Sequence, residues 1–142
     1  MYMVPLKKYI TLLLLFLLLS FYSCREDIIP PNNPIGDVNE PIRLTSNNSY
    51  TFILNANNIS TTVQDYPGLN AQHSILVITL TDYEQGNVSL KVLEFSKQLI
   101  YQKIITDNID QLVINLDYVS PDIVNIIFTN FTGKLKIEVD MH

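Results

Sequence analysis

The segment KLKIEVD, residues 134–140, alternates charged and apolar side chains over seven positions without a fault. Lys134, Lys136, Glu138 and Asp140 share one face and Leu135, Ile137 and Val139 the other. A period of two is that of a β-strand with one wet and one buried face. Working outward, residues 111–117 repeat the pattern with Leu112, Ile114 and Leu116, and residues 88–92 with Val88, Leu90 and Val92. The runs 74–83 and 123–129 are more continuously apolar, as expected of strands near a sheet centre. Further strands are expected over 50–55 and 99–106, where Ile, Val, Thr, Tyr and Phe are dense.

Turn-forming residues separate these runs: Tyr66-Pro67-Gly68, Glu84-Gln85-Gly86-Asn87, Ser120-Pro121-Asp122 and Asn130 to Gly133. Residues 94–104 admit a weak helical period, but the β-branched density favours strand. The expectation is an all-β domain, an antiparallel Ig-like β-sandwich of about seven strands, with a closed barrel as the alternative architecture.

The N-terminal third is built differently. Residues 1–23 read MYMVPLKKYITLLLLFLLLSFYS, with Lys7 and Lys8 ahead of an apolar run. From Tyr9 to Tyr22 there are 14 residues, followed at Arg25, Glu26 and Asp27 by charge. A membrane-spanning helix needs ~20 apolar residues, so the length fits an export signal better than an anchor. Cys24, the only cysteine of the chain, ends the run directly after the small Ser23. No intrachain disulfide and no cysteine-based zinc site can form from it.

The stretch Leu19-Ser20-Phe21-Tyr22-Ser23-Cys24 resembles a lipobox, the processing signal of bacterial lipoproteins, with aromatic residues where an aliphatic one is commoner. The resemblance implies cleavage before Cys24 and acyl chains on that cysteine, which hold a protein at a membrane through their buried methylenes. Arg25-Glu26-Asp27 resembles the export tag that carries Bacteroidetes lipoproteins to the outer face of the outer membrane. Residues 25–41 then hold Pro30, Pro31, Pro34 and Pro41 among Asn and Gly, which makes an extended tether of up to about 50 Å. The expected organisation is a signal peptide over 1–23, a lipidated cysteine and tether over 24–41, and the β-domain over 42–142.

A second resemblance spans residues 87–141. The succession VSLKV, LIYQK, LVINL, IVNIIF and GKLKIEV is similar in strand rhythm to small Ig-like lipoproteins of Bacteroidetes. It implies a fold and a location and attaches no activity.

Chemistry is sparsely signalled. Without residues 1–23, seven basic residues face 14 acidic ones, which disfavours nucleic acid as a partner. His73 and His142 are the only histidines, no G-x-S-x-G elbow occurs, and the four glycines are isolated. His73 reads as a loop residue. Asp82 with Glu84, and Asp107 with Asp110, are close enough to contribute to a calcium site, but no complete calcium loop surrounds them. No catalytic residue, metal or cofactor is therefore expected.

Sugar binding through Tyr66 and Tyr83 is the speculative ligand reading, there being no tryptophan. Tyr50, Tyr101 and Tyr118 fit core-edge packing. Four N-x-S/T triplets, at Asn47, Asn58, Asn87 and Asn130, are ascribed to an Asn-rich composition. The expectation is a non-enzymatic binding or accessory module on the outer membrane, with cell-surface placement implied by the export-tag resemblance, that meets an envelope protein or an external polysaccharide. The alternative is a periplasm-facing inhibitor or immunity lipoprotein that occludes an enzyme.

Overall fold

The computed structural model describes residues 36–69, 73–117 and 119–141. They contain no helix and form one open, antiparallel sheet of six strands. The strands are β1 (Ile42–Thr45), β2 (Ser49–Asp65), β3 (His73–Leu93), β4 (Leu99–Ile105), β5 (Ile109–Asp117) and β6 (Ile123–Met141), in the order β1-β2-β6-β3-β4, with β5 also on β3. β6 is central and pairs with β2 on one side and β3 on the other along nearly its whole length. The first half of β3 pairs with β5 and its second half with β4.

Three of the strands are far longer than the usual five or six residues: β2 has 17 residues, β3 21 and β6 19. They do not run straight. The Tyr50 hydroxyl donates to the Asp65 carboxylate at 2.7 Å, although both belong to β2. Fifteen residues of extended strand cover about 50 Å, so β2 doubles back. Phe52, from one half of β2, stacks on Phe128 of β6 with ring centroids 6.2 Å apart, and Phe128 lies 5.5 Å from Phe131. The sheet is folded across its own strands, and the rings fill the fold.

The reason lies in the phase of the apolar residues. In β6, after the buried Ile123 that opens it, the alternating buried positions are Val124, Ile126 and Phe128, then Phe131, Leu135, Ile137 and Val139. The even series gives way to an odd one at Thr129-Asn130. In β2 the same change occurs at Asn57-Asn58, between Ala56 and Val63. An extra residue at a β-bulge both restores the buried face and bends the strand. The register breaks at Ala56/Ile59 and Ile59/Thr61 in β2, and at Thr81/Gln85 and Gln85/Asn87 in β3, all opposite residues 128–134 of β6. Left-handed backbone appears on this line at Asn58, Asp82 and Asn130 and at Gly86, the residue types that tolerate it.

Two of the N-x-S/T triplets build the line. The Asn58 amide donates to Thr132 Oγ1 at 2.9 Å, the Asn130 amide to Ser60 Oγ at 2.8 Å, and Ser60 Oγ to Asn130 Oδ1 at 3.0 Å. The asparagine of each triplet supplies the bend, and the third residue of the other satisfies its freed amide. Residues before β1 also dock near this line. Val38 bridges Asn55, the Asn39 amide donates to Asn55 O at 2.7 Å, and the Asn39 side chain exchanges bonds with the Asn57 backbone.

The count of seven strands is corrected to six. The expected runs 74–83 and 88–92 are one strand, β3, and 123–129 and 134–140 are one strand, β6. Residues 84–87 and 130–133 bend these strands instead of reversing the chain. β1 was not expected, and β2 extends ten residues beyond the expected end at Asn55 to Asp65. The all-β antiparallel class and the strand at 99–105 agree with expectation.

At the end away from the bend, Asp65 also meets Arg43 Nε at 3.1 Å. Tyr50 is 1% exposed, and burial, with the Asp65 carboxylate adding to it, pushes its phenol far above the ordinary range. Its neutral form therefore stabilises the fold fully below the unfolded value near 10, and that contribution is lost as pH rises beyond it. Tyr50→Phe is expected to cost about 1–2 kcal/mol at neutral pH and to show a shallower loss of stability above about pH 10 than the wild type. Urea denaturation across pH 7–11 (a span around that value) measures both.

Gly86 provides a test of the bend. A Cβ there would stand 2.4 Å from the carbonyl oxygens of Thr129 and Asn130, whereas one at Gly68 would meet nothing within 4 Å. Both have positive φ, so Gly68→Ala is expected to cost about 1 kcal/mol and Gly86→Ala about 3 kcal/mol or more. Equal melting temperatures for the two variants would contradict this account.

Candidate functional site

The bend opens a cleft of about 450 Å³ on the surface, between the end of the first half of β2, the bulge of β3 and the turn of β6. Asn55, Asp82, Tyr83, Glu84, Thr132 and Lys134 are among its lining residues. Asp82 takes left-handed backbone, with φ 53°, inside the register break of β3 between Thr81 and Gln85. Gly133 lets β3 pass closely: a Cβ there would lie 3.1 Å from the Phe131 ring and 3.3 Å from Tyr83 Cα.

The polar groups of this cleft are largely committed to one another. Lys134 Nζ meets Asp82 Oδ2 at 2.7 Å. The Tyr83 hydroxyl donates to Gly86 O at 2.8 Å, its backbone amide donates to Asn108 Oδ1 at 2.9 Å, and its ring lies 6.5 Å from that of Phe131. Glu84 is exposed at the rim. The cleft thus offers one neutralised carboxylate, one exposed carboxylate, an amide and a hydroxyl, a set suited to hydrogen-bonding a polar group.

Tyr66 and Tyr83 are not brought together. Tyr66 follows Asp65, which faces Val124 of β6, while Tyr83 lies between positions facing Lys134 and Thr132. They therefore lie at opposite ends of the second half of the sheet, Tyr66 at the far end and Tyr83 at the bend. Tyr66 is 64% exposed, and its hydroxyl accepts a hydrogen bond from Gln64 Nε2. His73 opens β3, with Nδ1 3.1 Å from Asp117 Oδ1. Nine residues, about 30 Å of strand, separate it from Asp82, so among the described residues the cleft carboxylates have no histidine beside them.

Asp107 and Asp110 flank the turn from β4 to β5. Among the described residues no three His, Cys, Asp or Glu side chains assemble to hold a metal ion. A second, smaller groove of about 280 Å³ lies between the start of β4 and the end of β5, lined by Leu99, Ile100, Tyr101, Ile114 and Leu116 among others. Burial pushes the Tyr101 phenol up. Cys24, Arg25, Glu26, Asp27 and Tyr118 lie outside the described residues.

Sequence reading placed Asp82, Tyr83 and Glu84 at one locus but missed Lys134, Asn55 and Thr132, which reach the cleft by strand register. It also missed the cluster of Arg43, Asp65 and Tyr50. The one available signal was the break of alternation at Thr129-Asn130, just ahead of Lys134. No protein-family model matches the sequence, and no curated protein matches it.

The Asp82–Lys134 pair is open to water, with the side chains 65% and 37% exposed, so its coupling should be weak. A double-mutant cycle with Asp82→Asn and Lys134→Met is expected to give under about 1 kcal/mol, falling further with added salt. A coupling above about 2 kcal/mol would show instead that the cleft is shielded from solvent.

Proposed function

We propose that this chain is an exported lipoprotein of the Bacteroidetes type, anchored by lipid on Cys24 to the outer membrane and displayed at the cell surface. Its function there is that of a non-enzymatic binding or accessory module for an envelope protein or an external polymer. The observation that carries the placement is the lone Cys24 at the end of a 14-residue apolar stretch, after Ser23 and before Arg25, Glu26 and Asp27. Two or three acyl chains on one residue hold much more firmly than a single chain.

What supports a binding role is how the domain distributes its polar groups. Asp82, Tyr83, Tyr50 and Asp65 are paired within the fold, while Lys91, on an outward face of the sheet, makes no ion pair among the described residues. We read the folded sheet as the two layers of a β-sandwich, an Ig-like arrangement in the loose sense that two antiparallel layers enclose one core. The Phe52–Phe128 stacking and the Tyr50–Asp65 bond support that reading.

Wild-type cells fed a labelled fatty acid are expected to label this chain, and Cys24→Ala cells to leave it unlabelled. Protease added to intact cells should remove the domain in the wild type and spare it when Arg25, Glu26 and Asp27 are replaced by alanine. Label retained by Cys24→Ala overturns the anchor, and protease resistance of a lipidated wild-type chain overturns surface display.

A further inference from the structure

Half of the folded sheet carries an unusual outward surface. Gln64 of β2 faces Asn125 of β6, Asn125 faces Lys91 of β3, and Lys91 faces Gln102 of β4. Their strand neighbours Val63, Val124, Ile126, Leu90 and Val92 are buried in the core, so the four point the opposite way. They form one straight row across four strands, about 14 Å long at the spacing of a sheet. One step toward the bend, Thr62, Ile127, Ser89 and Ile104 form a second row in the same register.

These eight residues include no carboxylate, in a chain with 14 acidic and nine basic residues. Lys91 makes no ion pair among the described residues. The side-chain oxygen of Asn125, in the middle of the row, is screened from solvent yet accepts no hydrogen bond. Buried acceptors are normally satisfied, so this one lacks a donor. Gln64 bonds to the hydroxyl of Tyr66, whose exposed ring stands at the end of the row.

We propose that this face is a glycan-binding platform that takes an extended, neutral polysaccharide laid across the strands. Primary amides donate and accept at once, as a chain of hydroxyls requires, and the ammonium of Lys91 adds donors. Neighbouring side chains in the row are one strand spacing apart, close to the advance of one sugar along an extended glycan, so successive sugars meet successive side chains. Ile104, 62% exposed, and the Tyr66 ring offer apolar surface to sugar C–H faces. The acidity of the rest of the domain disfavours a polyanion.

This inference rests on the reading of the chain as a displayed binding module and names its ligand class. The test is affinity electrophoresis of the full chain, detergent-solubilised, in native gels containing a neutral β-glucan, a xylan, a mannan or polygalacturonate. Retardation by at least one neutral polymer is expected. Gln64→Ala, Lys91→Ala and Gln102→Ala should each weaken it about fivefold, as loss of one hydrogen bond does, and the triple variant should abolish it. Asn115→Ala, on the outward face of the other half-sheet, should leave it unchanged, with unfolding curves confirming that every variant folds.

Retardation by a neutral polymer that the triple variant retains overturns the platform while leaving a binding module in place. Retardation by polygalacturonate alone overturns the neutral-ligand assignment. Retardation by none of the polymers overturns the glycan proposal, and the fatty-acid and protease experiments on the anchor decide the broader reading separately.

Discussion

A sheet with one apolar face and no helix to cover it must bury that face against another layer or against itself. Among the described residues the second solution is used: β2, β3 and β6 carry apolar residues inward on both sides of a bend, and the bend brings these together. Neighbouring strands are hydrogen-bonded, so all three must bend on the same line. β2 and β6 must also shift the phase of their buried positions there, or their second halves would turn the apolar side to water. The left-handed positions Asn58, Asp82, Gly86 and Asn130 meet both demands, and the rest of the domain depends on them.

The ends of the folded sheet are held by a different kind of contact. Tyr50, Asp65 and Arg43 join the two halves where they come back together, with the tyrosine fully buried and the arginine half in water. A phenol bonded to a carboxylate is a directional tie, while the Phe52, Phe128 and Phe131 rings nearer the bend are held by shape and area. The first fixes how far the halves close; the second supplies the drive to close. The surface cleft at the bend follows from the same geometry, since a bulged strand cannot pack flush with its neighbour.

The sequence made the strands legible because burial on one face imposes alternation, which a local reading detects. It did not reveal which interruptions reverse the chain. Asn, Asp and Gly at residues 84–87 and 130–133 carry the same local signal as hairpin turns, and only pairing with β6 along both halves makes them bends. The triplets at Asn58 and Asn130 were visible, but their meaning lies in bonds between residues 70 or more positions apart. The candidate cleft was legible to the same extent. Asp82, Tyr83 and Glu84 are contiguous and were singled out, while Lys134 joins them only through register, 52 positions away.

Alternation also separates what folding requires from what it leaves open. Inward positions of the sheet are fixed by packing, but the outward ones need only stay compatible with water, so their chemistry is free to serve something else. The two outward faces have diverged in kind. On the first half, Ile42, Ile53, Lys136 and Thr79 lie in one row and Leu44, Thr51, Glu138, Val77 and Val113 in the next. There the central charges neutralise each other, with Lys136 Nζ 2.7 Å from Glu138 Oε1, and aliphatic side chains flank them. On the second half, a lysine without a carboxylate stands among amides, and one amide acceptor lacks a donor. Self-satisfaction describes a face whose polar groups serve the fold; on the other half, among the described residues, Lys91 forms no ion pair and the Asn125 oxygen accepts no hydrogen bond. The bend makes this difference possible, because it turns one continuous sheet into two surfaces that face different directions.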